Sequence, residues 1–110
     1  MKKIAFLLLF FAVVCSLTVA GVSAKEASKD SRGKKLFMTH CSKCHPDGGN
    51  VVTVTKSLNP KDREANNIKT EEDIIRLMRN PGPGMVKFGE KVISEKDAKA
   101  IAEYIMTTFK

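Results

Sequence analysis

Tryptophan is absent from these 110 residues, tyrosine occurs once, histidine twice and cysteine three times. Each shortage closes off a class of function. With aromatics at 6%, there are no interleaved rings for bases to stack on, so the basic charge does not describe a nucleic-acid surface. Three cysteines are too few for a disulfide-stapled mini-scaffold. The length allows one small domain, which excludes a two-domain enzyme with a cofactor fold of its own. No internal repeat or low-complexity tract is visible. At 28% charged and 43% apolar residues, the composition is that of a folded chain.

A long apolar run is also missing. Ile4 to Val14 is unbroken, but Ser16 and Thr18 interrupt the stretch beyond it, short of the about 20 residues a membrane-spanning helix needs. Met1-Lys2-Lys3 ahead of that run and Val22-Ser23-Ala24 after it, with small residues at the last position and two before it, have the three-part build of a secretory signal peptide. Cleavage is expected after Ala24. The expected division is a leader over 1–24, a short flexible N-terminus over 25–30 and a single domain over 31–110. The product would be periplasmic, monomeric and without stable membrane insertion. Cys15 does not mark a lipoprotein, because Val14 is too bulky for the position before a lipidated cysteine; it reads as part of the apolar leader.

Lys2 and Lys3 are the only charged residues among the first 24. Of the 19 basic residues, 17 therefore face 12 acids in the remainder, a balance of +5. A body of this size buries a modest core, so a cofactor contributing apolar surface would help it fold.

The chemistry is concentrated in Cys41-Ser42-Lys43-Cys44-His45, a C-x-x-C-H motif that predicts covalent attachment of one c-type haem. Two thiols three positions apart on one helical turn reach the two vinyl groups of the porphyrin. The next residue then aims its imidazole at the iron, which makes His45 the proximal ligand. A Cys41–Cys44 disulfide would close a short, strained loop and leave His45 unused. A thioredoxin-like pair expects a strand–helix context that the flanks lack. Zinc needs ligands around it, and His40, Cys41, Cys44 and His45 crowd into six positions with no other Cys or His beyond the leader.

Histidine scarcity then bears on the distal ligand. His40 directly precedes Cys41 on the proximal segment and reads as a solvent-facing residue at a helix end. Met38 lies one turn before Cys41, on the same side. Met78 and Met106 sit on helical stripes, where core packing is the expected role. Met85 is different: Asn80-Pro81-Gly82-Pro83-Gly84-Met85-Val86-Lys87-Phe88-Gly89 is a loop punctuated by two prolines and three glycines. Glycine lets backbone approach a flat ligand, proline stiffens the loop that delivers the sulfur, and His/Met is a known haem pairing. The plainer alternative is an ordinary turn with an exposed methionine.

The remainder predicts an all-α fold of about four helices and loops. Asp30 or Ser31 is expected to cap a helix running through Gly33, Leu36 and Phe37. Val51 to Val54 has no partner strand and reads as loop. Asn59-Pro60 starts a short helix near 60–66. Thr70-Glu71-Glu72-Asp73 resembles a capping box for a helix stopped at Asn80-Pro81. Ser94 caps a last helix with Ala98, Ile101, Ala102, Ile105 and Phe109 on one stripe.

Taken together, these segments resemble the small monohaem class I cytochromes c, and most of all cytochrome c6. The matching pieces are Gly33-x-x-Leu36-Phe37, Cys41-x-x-Cys44-His45, Gly48-Gly49-Asn50-Val51-Val52, Lys56-Ser57-Leu58, Gly84-Met85-x-x-Phe88-Gly89, Ser94 with its acidic helix start, and Ala102-x-Tyr104-Ile105. The resemblance implies N- and C-terminal helices that cross near Gly33, with Phe37 and Tyr104 in the contact. It also implies Met85 as distal ligand. Proline usually follows the axial methionine in that family, whereas Val86 stands here.

The function implied is one-electron transport between redox proteins, with no catalytic residue. Lys34, Lys35, Lys43, Lys87 and Lys91 would form a basic collar steering partners with acidic docking surfaces. The alternative is a five-coordinate or labile-methionine haem protein acting as a peroxidase or a gas or redox sensor. A peroxidase wants distal acid–base groups, and Glu90 is the only carboxylate near Met85 in sequence.

Overall fold

The computed structural model describes residues 23–110, so the leader expected over 1–24, Cys15 included, falls almost wholly outside it. Among the described residues there are four α-helices and no strand: α1 Ser23–His40, α2 Pro60–Ala65, α3 Glu71–Arg79 and α4 Glu95–Thr108. Two short 3-10 turns, Pro46–Gly48 and Val54–Lys56, interrupt the long connection between α1 and α2. Val51 to Thr53 is loop and Val54 opens the second turn, so the run forms no strand, as its lack of a partner implied.

The helix ends follow local chemistry. Thr70 Oγ1 accepts from Asp73 N at 3.2 Å, and Asp73 Oδ2 accepts from Thr70 N at 3.0 Å, completing the capping box of α3. Pro81 lacks an N–H, and α3 stops two residues before it. Ser94 Oγ accepts from Asp97 N at 3.2 Å and caps α4. Pro60 occupies the first turn of α2, where its missing donor costs nothing.

α1 begins earlier than a cap at Asp30 or Ser31 would set it. It is already helical across 25–30, the stretch expected to be a flexible N-terminus. Lys25-Glu26-Ala27-Ser28-Lys29 contains no Gly or Pro, and Ala, Lys and Glu are good helix formers. Farther along, Lys29 Nζ reaches Glu103 at 3.5 Å and Arg32 pairs with Asp97 at 2.5 Å, fastening α1 along α4.

The α1–α4 crossing rests on Gly33. A Cβ there would run into the carbonyl oxygen of Ala100 and sit 2.9 Å from Tyr104 Cβ, so a missing side chain is what lets the backbones meet. One turn on, the Phe37 ring packs at 5.3 Å on Tyr104 and 5.5 Å on Phe109. Ile93, Ala98, Ile101, Ala102 and Ile105 continue the core, and α3 adds Ile74 and Met78. Burying a side chain such as Ile101 contributes about 1.5–3 kcal/mol. This core is the floor on which the cysteine segment and the Met85 loop are laid.

Candidate functional site

At the end of α1 the chain stays wound. Cys41 N donates to Phe37 O at 2.8 Å, Cys44 N to Cys41 O at 3.1 Å and His45 N to Cys41 O at 2.9 Å. Cys41, Cys44 and His45 thus share one turn, the arrangement their spacing implied. Both thiols are free; Cys41 is half-buried and Cys44 exposed. Burial, and secondarily Cys44 nearby, pushes the Cys41 thiol up to about 11, so it is held as a neutral thiol.

The imidazole of His45 is fixed by a backbone group. Its Nδ1 lies 2.8 Å from the carbonyl oxygen of Gly49. A carbonyl only accepts, so Nδ1 is the donor, and in the neutral tautomer that this contact selects, Nε2 is the nitrogen with the lone pair. The turn that presents Gly49 depends on Gly48, whose φ of +80° suits glycine and whose missing Cβ leaves room for the Phe109 ring. Leu58 N donates to Gly48 O at 2.7 Å, which ties the turn to the following segment. Asn50 holds the loop between them: Oδ1 accepts from Val52 N at 2.9 Å and Thr53 N at 2.8 Å, while Nδ2 donates to Lys56 O at 2.9 Å.

Met85 is half-buried, and the preceding Gly84 has φ +91°, the left-handed conformation that turns the chain there. The loop is secured behind it. Phe88 N donates to Met78 O at 2.9 Å. Arg79 Nη1 donates both to Phe88 O at 3.0 Å and to Ile93 O at 2.8 Å.

These pieces surround a cavity of about 400 Å³. Cys41, Cys44, His45 and Met85 all line it, together with an apolar wall of Ile68, Ile74, Leu77, Met78, Phe88 and Ile105. Residues far apart in sequence therefore meet in one chamber: two thiols, an imidazole and a thioether. That donor set, against an apolar wall, fits a covalently attached haem. Among the described residues no cluster of His, Cys, Asp and Glu could hold a bare metal ion instead.

Other expectations are sharpened. Met38 is exposed on α1, whereas Met78 is buried in the core and also forms cavity wall. Met106 packs against the core. His40 does end α1, but it is not simply solvent-facing. It is half-buried on the cavity wall, its ring edge-on to Phe88 at 6.0 Å, because the Met85 loop folds back over the end of α1. Lys34, Lys35, Lys43, Lys87 and Lys91 are all exposed. Two participants carried no sequence signal: the Gly49 carbonyl, which is backbone, and Arg63, buried in the cavity wall.

Residues 28–105 match the family model described as "Cytochrome C oxidase, cbb3-type, subunit III". Cytochrome c6 of Rippkaea orientalis is 31% identical over 106 residues, spanning 96% of this chain and 89% of its own. Among solved structures, OmcF, the outer membrane cytochrome F of Geobacter sulfurreducens, is 50% identical with a TM-score of 0.69. The match covers 71% of this chain and 99% of that one. Oxidised cytochrome c6A of Arabidopsis thaliana is 31% identical with a TM-score of 0.65, covering 72% of this chain and 88% of its own.

Proposed function

The chain belongs to the cytochrome c family, as a small class I member of the c6 type with one covalently attached haem c, and on that premise we propose that it is an exported one-electron carrier between redox proteins, its iron held by His45 and Met85. Haem c, when bound, supplies the ferric/ferrous couple. Cys41 and Cys44 would hold it through thioether bonds, their thiol S–H groups adding across its two vinyl groups. His45 offers Nε2 to the iron, with Nδ1 kept occupied by Gly49 O. Met85 would offer its thioether sulfur as the other ligand, which would favour the ferrous state relative to a second histidine. Ile74, Leu77, Met78 and Ile105 give the chamber an apolar wall that would exclude water once haem fills it.

The observation that carries this reading is that His45 and Met85, forty positions apart, line the same chamber as both cysteines. With both His45 and Met85 bound to it, the iron would have no open position for a substrate, which is what would separate a carrier from a peroxidase or gas sensor. The basic collar then provides the steering for acidic redox partners. Export is supported by the leader pattern over 1–24, and among the described residues no helix is long and apolar enough to cross a membrane.

The test is the optical spectrum of the haem-loaded protein, oxidised and reduced, with and without carbon monoxide. The expected result is a methionine-to-ferric charge-transfer band, abolished in Met85→Ala, with no response of the wild type to carbon monoxide. A high-spin spectrum that shifts with carbon monoxide would instead establish an open iron site and the sensor or peroxidase reading. Cell fractionation tests export: a periplasmic haem protein starting at Lys25 is expected, and recovery with the outer membrane would instead give it the location that the name of OmcF carries.

A further inference from the structure

The residues that carry Met85 into the chamber have little of their own to hold them there. From Gly82 to Lys87, the one hydrogen bond among the described residues is Met85 N to Gly82 O, long at 3.4 Å. A Cβ on Gly82 would meet nothing within 4 Å, and Val86 is 66% exposed. Among the described residues the Val86 N–H has no backbone partner. Val52, beside Gly84, is the neighbour that touches this stretch, and it is itself exposed.

The restraint comes from outside the chamber. Arg79 ends α3, its side chain is 18% exposed, and it does not line the cavity. Its Nη1 donates to Phe88 O, nine positions on, and to Ile93 O, fourteen positions on. Nη2 reaches Glu95 at 3.5 Å, at the start of α4. Phe88 also donates its own N–H to Met78 O, so both its backbone groups are engaged, three positions after Met85. A guanidinium can hold two carbonyls at once because its donors form a rigid planar fork, whereas an ammonium is a point charge on a flexible stem.

We propose that Arg79 is the positioning residue for Met85: by holding Phe88 and Ile93 together it keeps the methionine sulfur in the chamber, and so sets how far the iron is closed to external ligands. The proposal rests on Met85 being an iron ligand. A proline after Met85 would stiffen this stretch from within, by fixing φ. With Val86 in that place the stiffness has to come from elsewhere, and Arg79 is the side chain placed to supply it. An external ligand binds only those molecules whose sulfur is off the iron, so its apparent affinity measures that fraction.

The experiment is imidazole titration of the ferric, haem-loaded protein, followed by loss of the methionine-to-ferric band, with a melting curve for each variant. Wild type should bind imidazole weakly. Arg79→Gln should bind it at least tenfold tighter. Arg79→Lys, which keeps the charge but not the fork, should fall between them. Glu95→Gln, which removes only the long contact to an exposed carboxylate, should stay within threefold of wild type. Gly33→Ala, which lowers stability at the α1–α4 crossing, should also stay within threefold. Adding Val86→Pro to Arg79→Gln should bring the affinity back to within threefold of wild type while the melting point stays low, because the proline stiffens the loop without rejoining it to α3.

An Arg79→Gln protein that melts lower but binds imidazole within threefold of wild type would reduce Arg79 to a brace between α3 and α4 and overturn the proposal. So would a tenfold gain in Gly33→Ala, which would make the effect one of general stability. A double variant as open as Arg79→Gln would overturn it too. If Arg79→Gln does not retain haem, Arg79→Lys decides: imidazole bound more than threefold tighter supports the proposal, and wild-type affinity overturns it. A wild type without the methionine band would instead overturn the premise, which separates the two failures.

Discussion

The imidazole Nδ1 of His45 donates to the carbonyl oxygen of Gly49, four residues ahead, at 2.8 Å. The bond closes the turn after the cysteines and settles which ring nitrogen is left for the chamber. It depends on Gly48, because the reversal that brings the Gly49 carbonyl back uses a left-handed residue pressed against the Phe109 ring.

Gly48→Ala is therefore expected to be strongly destabilising. The new Cβ would lie 2.5 Å from a Phe109 ring carbon, and the left-handed backbone adds about 1–2 kcal/mol of its own. Thermal denaturation of the haem-loaded protein should show a lower midpoint, and the loosened imidazole should shift the optical spectrum of the iron. An unchanged melting curve would mean that the turn adjusts freely.

Gly33→Ala tests the helix crossing. Its added methyl would meet the Ala100 carbonyl, and overpacking of that kind costs about 1–3 kcal/mol. Ile101→Ala, which opens a cavity in the same contact, should cost about 2–5 kcal/mol. Denaturant titration of both variants would measure this, and a Gly33→Ala protein as stable as wild type would contradict the crossing.

Acid should weaken the fold through two carboxylates. Backbone donors of Lys69 and then Thr70 hold Asp73 down at about 2, and Arg32 holds Asp97 below the usual carboxylate range. Groups depressed in the folded state give a contribution fully present above their unfolded value, about 3.9, and lost as pH falls through the folded value. Melting midpoints should thus fall between about pH 5 and 2, and the fall should be shallower in Asp73→Asn and Asp97→Asn.

Covalent attachment should be part of folding. The small core surrounds the chamber, so a Cys41→Ala/Cys44→Ala chain is expected to be largely unfolded. Circular dichroism should show little helix and no cooperative melting; a sharp thermal transition in the haem-free variant would refute this.

The proposed basic collar makes a kinetic prediction. Association with an acidic redox partner should slow steeply as salt rises, since screening shortens the reach of exposed charges. Lys87→Glu and Lys43→Glu should flatten that dependence in stopped-flow measurements, and a salt-independent rate in the wild type would remove the collar from the mechanism.

What could be read from the chain divides along a physical line. The haem motif, the helix caps at Thr70 and Ser94 and the glycine–proline loop around Met85 are local chemistry, so residue types at short spacing reveal them. The α1–α4 crossing is legible only through the family resemblance, because nothing around Gly33 alone says which helix approaches it. His40 reads as solvent-facing in the sequence because its burial is made by Phe88, delivered from a loop nearly fifty positions away. The early start of α1 has no conspicuous cap to announce it, only residues content to be helical. Arg63 is the extreme case: an arginine in a six-residue helix looks like surface, and only the folded chain brings Met106 and Phe109 over it.

The fork of Arg79 has a consequence for motion. By gripping the carbonyls of Phe88 and Ile93 at once, it pins the stem of the segment that carries Met85, so the loop is closed at one guanidinium. Such a segment opens as a unit, by releasing its clasp, and not by gradual wobble at the sulfur. Loss of the proposed Met85–iron bond would then be a local unfolding event with a threshold, and amide exchange at Phe88 would report how often it happens.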